Sequence, residues 1–393
     1  VSGPADGLRP AASRWWGGGS WAARAARELV GVLPQWLAAR VVVAGALGLA
    51  HLVVDRTHPR SAGAVARVHQ GLLGWDAGWY EAIARSGYRP LGHQALRFFP
   101  LFPLLGRALS VVPGVSAGTA LVVLANCSAL VATAMLVVLV RRETGDPALA
   151  VRSAWLLSLA PSAFVLVMGY AEATLLVFTV GAFLALRRAG GPWWWAAALC
   201  AAAAALTRPL GVLVAVAVAV EAARRWRAAG AGERAMSLVA VAAAPAGAGA
   251  FLVWSWGVFG DALLPLSVQT QSGHHGGLSD PLRTLVDDAR GVLHHHVGTA
   301  LHVPWVVVAA ALVVVAWRRL PAAYGAFATA VVVVAASGTN LDSFERYALS
   351  AFPLAVAGAT LTASRRVERC VLALAAAALA GYAVLAFCNI SVP

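Results

Sequence analysis

Few residues in this chain have the chemistry for catalysis, and they sit at the edges of apolar runs. The most informative stretch is Trp75-Asp76-Ala77-Gly78-Trp79-Tyr80-Glu81-Ala82-Ile83-Ala84-Arg85-Ser86-Gly87-Tyr88. Trp75 and Trp79 are four apart, as are Trp79 and Ile83. That spacing predicts an amphipathic helix with an aromatic edge, starting at Asp76 and ending at Gly87. Such a helix suits a membrane interface, where Trp79 and Tyr80 would also serve as plain anchors. A carboxylate such as Asp76 suits general-base work, the more so if burial raises its pKa; as a mere N-cap it would be equally well placed. Glu81 lies just over one turn further on and reads as exposed. Arg208 (in Thr207-Arg208-Pro209) and Arg346 (in Asn340-Leu341-Asp342-Ser343-Phe344-Glu345-Arg346-Tyr347) each offer a planar fork that fits phosphate oxygens bidentately. The bland readings are that Arg208 breaks a span and snorkels, and that Arg346 pairs with Glu345 or Asp342 at an interface. Glu172 stands between two apolar runs, where an ionisable group draws a functional reading.

The ten histidines invite a metal reading. His58, His69, His93, His274, His275, His294, His295 and His296 fall in two long loops, with His51 and His302 at the ends of apolar runs. Adjacent histidines cannot all face one ion from a regular helix, and no carboxylate stands at a characteristic motif spacing. No metal site and no cofactor is expected. Cys127, Cys200, Cys370 and Cys388 form no C-x-x-C pair and read as small buried hydrophobes.

The elements that hold these residues follow from composition. The 393 residues are 60% hydrophobic and 12% charged, against about 45–50% and about 25% in soluble domains. That excludes an ordinary soluble enzyme, a disordered chain and a nucleic-acid-binding module, despite a net charge of +13 carried entirely by arginine among the cations. The Ala, Val, Gly and Arg bias suggests a high-GC, actinobacterial source. Apolar runs at 34–54, 115–140, 149–169, 171–186, 192–206, 209–223, 236–259, 301–317, 321–338, 347–363 and 370–388 predict about eleven transmembrane helices. They show no period-two alternation, so a barrel is excluded. With a cytoplasmic N-terminus, the Arg clusters at 141–142, 187–188, 224–227, 318–319 and 365–369 all fall inside. Loops 55–114, 169–171, 207–208, 260–300 and 339–346, and the C-terminus, then lie outside. Residues 192–223 are read as two short helices turning at Arg208, which keeps Arg224 inside. The expected organisation is a cytoplasmic tail, 1–28, and one transmembrane domain, 29–393, with 55–114 and 260–300 as its long extracytoplasmic loops, in the plasma membrane.

The stretch from Trp75 to Tyr88, followed by Phe98-Phe99-Pro100-Leu101-Phe102-Pro103, resembles the PIG-V type of mannosyltransferase, the family of GPI mannosyltransferase II. The likeness extends to Pro161-x-x-Phe164, Gly169-Tyr170-Ala171-Glu172, Thr207-Arg208-Pro209-x-Gly211 and Arg346-Tyr347 near Pro353. The resemblance implies an all-α, polytopic, GT-C-like fold whose first outer loop carries the catalytic acidic residue and whose donor is a lipid-phosphate sugar. It places Asp76 at that acidic position. One aspartate stands there rather than an adjacent acidic pair, which argues against metal dependence. The implied function is inverting transfer of mannose, or another hexose, from polyprenyl-phospho-mannose to a lipid-glycan, lipoglycan or protein acceptor. Asp76 would be the base, with Arg346 and Arg208 on the donor phosphate. Glu172, Tyr80, Trp79 and Glu81 would bind substrate, and a histidine of the loop 260–300 would contact sugar or phosphate. A transporter or flippase of a lipid-linked substrate is the main alternative, weakened because the short hairpin has no evident twin. A non-catalytic subunit of a membrane glycosylation complex is the other.

Overall fold

The computed structural model describes residues 20–57, 62–188, 190–271, 277, 279–291 and 301–390. Among them the chain is all-α. An amphipathic helix, α1 (Trp21–Gly31), leads into α2 (Leu33–Thr57). The first long loop folds into α3 (Ala62–Gln70), α4 (Asp76–Ser86) and α5 (Leu101–Leu109). Then come α6 (Ala117–Thr144), α7 (Pro147–Ser158), α8 (Glu172–Leu186), α9 (Pro192–Thr207), α10 (Val214–Arg225) and α11 (Ala231–Phe259). The second long loop carries α12 (Leu264–Gln269) and α13 (Pro281–Gly291). The chain closes with α14 (Val303–Arg319), α15 (Ala322–Ala336), α16 (Phe344–Leu349), α17 (Pro353–Leu361) and α18 (Arg365–Phe387).

The helices sit on the apolar runs, but the runs do not become eleven full-length spans. By length and composition α2, α6, α11 and α18 can cross a membrane; α8, α9 and α15 are apolar but shorter. Helix α11 packs along α9, α9 on α8, and α8 on α6, while α18 lies against α2. Caps set the ends of the long elements. Ser116 accepts from the Thr119 N–H at the start of α6, and Gly145 turns left-handed at its end. Asp146 then caps α7 ahead of Pro147.

Two expected spans are broken, and both breaks serve the site. The run 149–169 is helical only to Ser158, because Pro161 cannot continue the ladder. The following residues unwind into a short 3-10 turn, Ala163–Leu166. Irregular backbone at membrane depth must find partners within the protein. Arg40 of α2 donates to the Leu166 carbonyl at 3.0 Å, and Asn126 of α6 donates to the Val167 carbonyl at 2.8 Å. Asn126 also accepts from Arg40 Nε at 2.9 Å, joining the two supports. Likewise 347–363 is two short helices, α16 and α17, separated before Pro353.

The expected turn at Arg208 is present. Helix α9 ends at Thr207, and a 3-10 turn, Pro209–Leu213, brings the chain back along it. A β-carbon at Gly211 would stand 1.9 Å from the Ala204 carbonyl oxygen, so glycine is required for this approach.

Candidate active site

Asp76 opens α4 from a strained corner. Trp75, just before it, has φ +57°, a conformation a bulky residue adopts only when its surroundings hold it there. The indole N–H of Trp75 donates to the Ala386 carbonyl near the end of α18, at 3.0 Å. Arg67 of α3 lies over its ring, 4.0 Å from the centroid. These contacts fix the corner and so aim the Asp76 carboxylate. That carboxylate does not cap its own helix. It accepts from Arg346 Nη1 at 2.5 Å.

Arg346 comes from α16, which likewise starts at a left-handed residue, Ser343 with φ +64°. Behind Asp76, Arg346 Nε faces Glu172 Oε1 at 3.5 Å. Glu172 begins α8, straight after the unwound segment, and its same oxygen, Oε1, also pairs with Arg208. A ladder of alternating charge therefore runs Asp76, Arg346, Glu172, Arg208. Its rungs come from the first loop, the last third of the chain, the unwound turn and the α9–α10 break. Glu172, Arg208 and Arg346 are 1%, 7% and 6% exposed. Asp76 keeps 24% of its side chain open and is the accessible end. Glu172 Oε2 is buried with no hydrogen-bond partner, leaving an acceptor unspent inside the site.

Tyrosines line the ladder. The Asp76 backbone N–H donates to the Tyr170 hydroxyl at 3.2 Å. Arg346 stacks 5.6 Å from the Tyr170 ring and 5.3 Å from that of Tyr347. It also donates from Nη2 to the Tyr347 hydroxyl at 3.4 Å.

Burial alone would raise the Asp76 pKa. The charge and hydrogen bond of Arg346, with the charges of Arg208 and Arg97, outweigh it and hold the carboxyl below its ordinary value. Burial therefore does not raise this carboxyl overall, and at rest Asp76 is an ionised carboxylate. Two arginines without an assigned role in the sequence also feel its field. Arg97, at the end of the 3-10 turn His93–Arg97, is lowered by burial and raised by Asp76 and Tyr347. Arg67 is lowered by burial and raised by Tyr170 and Asp76. The four-membered ladder is neutral, so these two give the mouth of the site an excess of positive charge.

The remaining candidates are spread around this core. Tyr80 is buried in the aromatic cluster, edge-on to Phe98 and Phe102 at 5.0 Å each, rather than anchored at an interface. Its phenol is pushed up by burial and lies within the fields of Arg208, Glu172, Asp76 and Arg346. Trp79 is half-buried and stacks on Phe98, with centroids 5.9 Å apart. Glu81 is half-buried, not exposed, and turns toward Gly118 of α6. Among the described residues it joins no ion pair of the ladder. His58, His274, His275, His294, His295 and His296 lie outside the described residues. His302 instead meets Glu345, Nδ1 to Oε2, at 2.7 Å. Among the described residues no three His, Cys, Asp or Glu side chains gather as a metal site.

Asp76, Glu172 and Arg208 fall within one stretch, residues 40–242, that matches the sequence model of the mannosyltransferase (PIG-V) family. The chain belongs to that family. Arg346, the fourth rung, lies beyond the matched stretch. No curated protein matches the chain. Among solved structures, the oligosaccharyltransferase of Archaeoglobus fulgidus, tethered to an acceptor peptide containing an NVT sequon, aligns with 80% of the chain at 15% identity and a TM-score of 0.45. The chain spans about half, 51%, of that enzyme's length. In this PIG-V family chain the residues around the charge ladder that the sequence alone does not single out are Arg97, Arg67, Tyr170 and Tyr347. Tyr170 and Tyr347 stand in motifs that were noted but given no role, and Arg97 directly precedes the Phe98-Phe99-Pro100 motif. Arg67 carries no sequence signal.

Proposed function

We propose that this PIG-V family protein is an inverting glycosyltransferase moving mannose from polyprenyl-phospho-mannose to a lipid-glycan, lipoglycan or protein acceptor on the extracytoplasmic face of the plasma membrane. The observation that carries the reading is the convergence of Asp76, Arg346, Glu172 and Arg208 from four distant segments, with Asp76 at the open end. Family membership supports glycosyl transfer. The charge arrangement supports a phosphate-bearing donor.

In the resting site Asp76 occupies Arg346. A donor phosphate arriving under Arg97 and Arg67 competes for that guanidinium, since all three are cations and a phosphate takes bidentate bonds from Arg. As Arg346 turns to the phosphate, Asp76 loses the partner that depresses its pKa and becomes a better base. The acceptor hydroxyl oxygen then attacks the anomeric carbon and gives its proton to the Asp76 carboxylate. The bond from that carbon to the phosphate oxygen breaks on the opposite face, and the polyprenyl phosphate leaves with the electron pair, its added charge held by Arg346 and Arg97. One displacement inverts the anomeric centre. Glu172 and Arg208 are positioning groups that keep Arg346 in place. Glu172 Oε2 remains available to accept from a substrate hydroxyl.

The test is incubation of the purified protein with radiolabelled polyprenyl-phospho-mannose and total membrane lipids of its host. A labelled product made by the wild type and lost in Asp76→Asn supports the reading. Substrate accumulation in proteoliposomes without any glycan product would replace it with transport.

A further inference from the structure

The far end of the bundle holds a polar cavity. Gly118, at the start of α6, packs beside Leu73 and Glu81 and so belongs to the Asp76 end. Arg141, near the close of the same helix, lies about 35 Å further along at 1.5 Å per residue. That exceeds the roughly 30 Å of a bilayer's hydrocarbon core. Beside Arg141, between α1, α2, α6 and α7, is a cavity of about 300 Å³.

Its lining is not that of a lipid-filled crevice. Gln35 of α2 is 3% exposed, and its Oε1 is buried without a hydrogen-bond partner. A buried amide left unpaired costs about 1–3 kcal/mol, which a ligand donor would relieve. At the rim stand Arg27, Glu28 and Arg141. Glu28 pairs with Arg141, while Arg27 is exposed and enters no ion pair among the described residues. One net positive charge therefore faces the opening. The walls include Val137 and Val151, the latter 41% exposed toward the surrounding apolar phase. Helix α1, which forms the rim, runs directly into the spanning helix α2, so the cavity opens at the membrane boundary.

We propose that this cavity binds the headgroup of an anionic, hydroxyl-bearing glycerophospholipid of the phosphatidylglycerol type. The phosphodiester meets Arg27 and Arg141, a headgroup hydroxyl donates to Gln35 Oε1, and the acyl chains run along the Val151 flank. A choline headgroup brings the same phosphodiester but no net negative charge, because its own cation offsets it, and it has no donor for Gln35. The site is separate from the Asp76 ladder and does not rest on the transferase reading.

Full-length protein in detergent, titrated with phosphatidylglycerol, phosphatidylcholine of the same chains, or inorganic phosphate, tests this by native mass spectrometry of retained adducts. Phosphatidylglycerol should bind at least about tenfold tighter than phosphatidylcholine, as expected for one satisfied buried amide and a net negative charge beside the arginines. Gln35→Leu and, at the exposed rim, Arg27→Glu should each lower that binding about tenfold or more. Arg27→Glu lies outside the core and tests the site even if Gln35→Leu fails to fold. Equal retention of the two lipids, or wild-type phosphatidylglycerol binding by Arg27→Glu, overturns the proposal. Complete displacement of the lipid by inorganic phosphate at equal concentration also overturns it, in favour of a free-anion site.

Discussion

Replacing Asp76 by Asn removes one negative charge from a ladder that is neutral as it stands, and keeps the shape of the side chain. The ion pair with Arg346 at 2.5 Å becomes a hydrogen bond from a charged guanidinium to a neutral amide oxygen, which keeps about 1.5–3 kcal/mol because one partner stays ionised. Arg346 is not stranded by this change, because Glu172 Oε1 remains 3.5 Å from its Nε. The loss of stability therefore stays well below the roughly 3–5 kcal/mol seen when a buried charge loses its last partner. Activity should behave differently. An amide cannot take the acceptor's proton, and loss of a general base costs about 10²–10⁴ in rate. The assay is initial rate of mannose transfer by purified protein in detergent, at saturating donor, with melting temperature read on the same preparations. Asp76→Asn should fold and melt close to wild type and transfer at least about a hundredfold more slowly. Asp76→Glu should also fail, since an extra methylene moves the oxygens by roughly an ångström, enough to cost about 10²-fold. Transfer by Asp76→Asn at more than about a tenth of the wild-type rate would refute Asp76 as the base.

The pH dependence of the ladder follows with a defined sign. Arg346 holds the Asp76 pKa below its ordinary value, so this pair contributes stability that is fully present above the unfolded carboxyl value, about 3.9. It is lost only as pH falls through the lower folded value.

Three further outcomes are expected. Arg97→Gln should weaken donor binding about 10–100-fold, the equivalent of one charge-assisted hydrogen bond, with little change in melting temperature; an unchanged KM for donor would remove Arg97 from the phosphate site. Gly211→Ala should destabilise by about 3 kcal/mol or more, above the usual overpacking range, because the new β-carbon would meet the Ala204 carbonyl at 1.9 Å; wild-type melting of this variant would show that the α9–α10 turn has room to spare. Burial lowers the His302 pKa, but the hydrogen bond and charge of Glu345, with Asp342 and Asp288, raise it above 6.5 overall. His302 therefore contributes stability below that value that is lost as pH rises through its folded pKa, so His302→Gln should flatten the melting-temperature profile above pH ~6.5. Parallel profiles would exclude the pairing.

The residues of the ladder were legible because lipid makes charge expensive. A chain with so few charged groups exposes each one that stands at the edge of an apolar run, which draws attention to Asp76, Glu172, Arg208 and Arg346, while the acidic-position role of Asp76 comes from the family resemblance. Their mutual order was not legible. Asp76 and Arg346 are 270 residues apart, and nothing local to either predicts that the arginine would take the aspartate rather than its neighbours Glu345 or Asp342. Glu345 is instead occupied by His302 and by the Tyr382 hydroxyl. The direction of the Asp76 pKa is not legible locally either, because the opposing charge comes from another segment.

The breaks explain why an apolar run need not be one continuous helix. An unwound turn at 163–166 reads as apolar as the helix before it, since its polar cost is met by Arg40 and Asn126 from other helices. Hydropathy records what the side chains tolerate and is blind to who satisfies the carbonyls. The three breaks, before α8, between α9 and α10, and around α16, are also where Glu172, Arg208 and Arg346 sit. A continuous helix would bury its own polar groups and present only side-chain stripes. Interrupting it lets a charged residue approach along the helix axis and meet partners from other helix ends. In this chain the departures from regular spans are therefore what bring these side chains together, and Arg40 supports the unwound turn ahead of Glu172 although it touches none of the ladder's rungs.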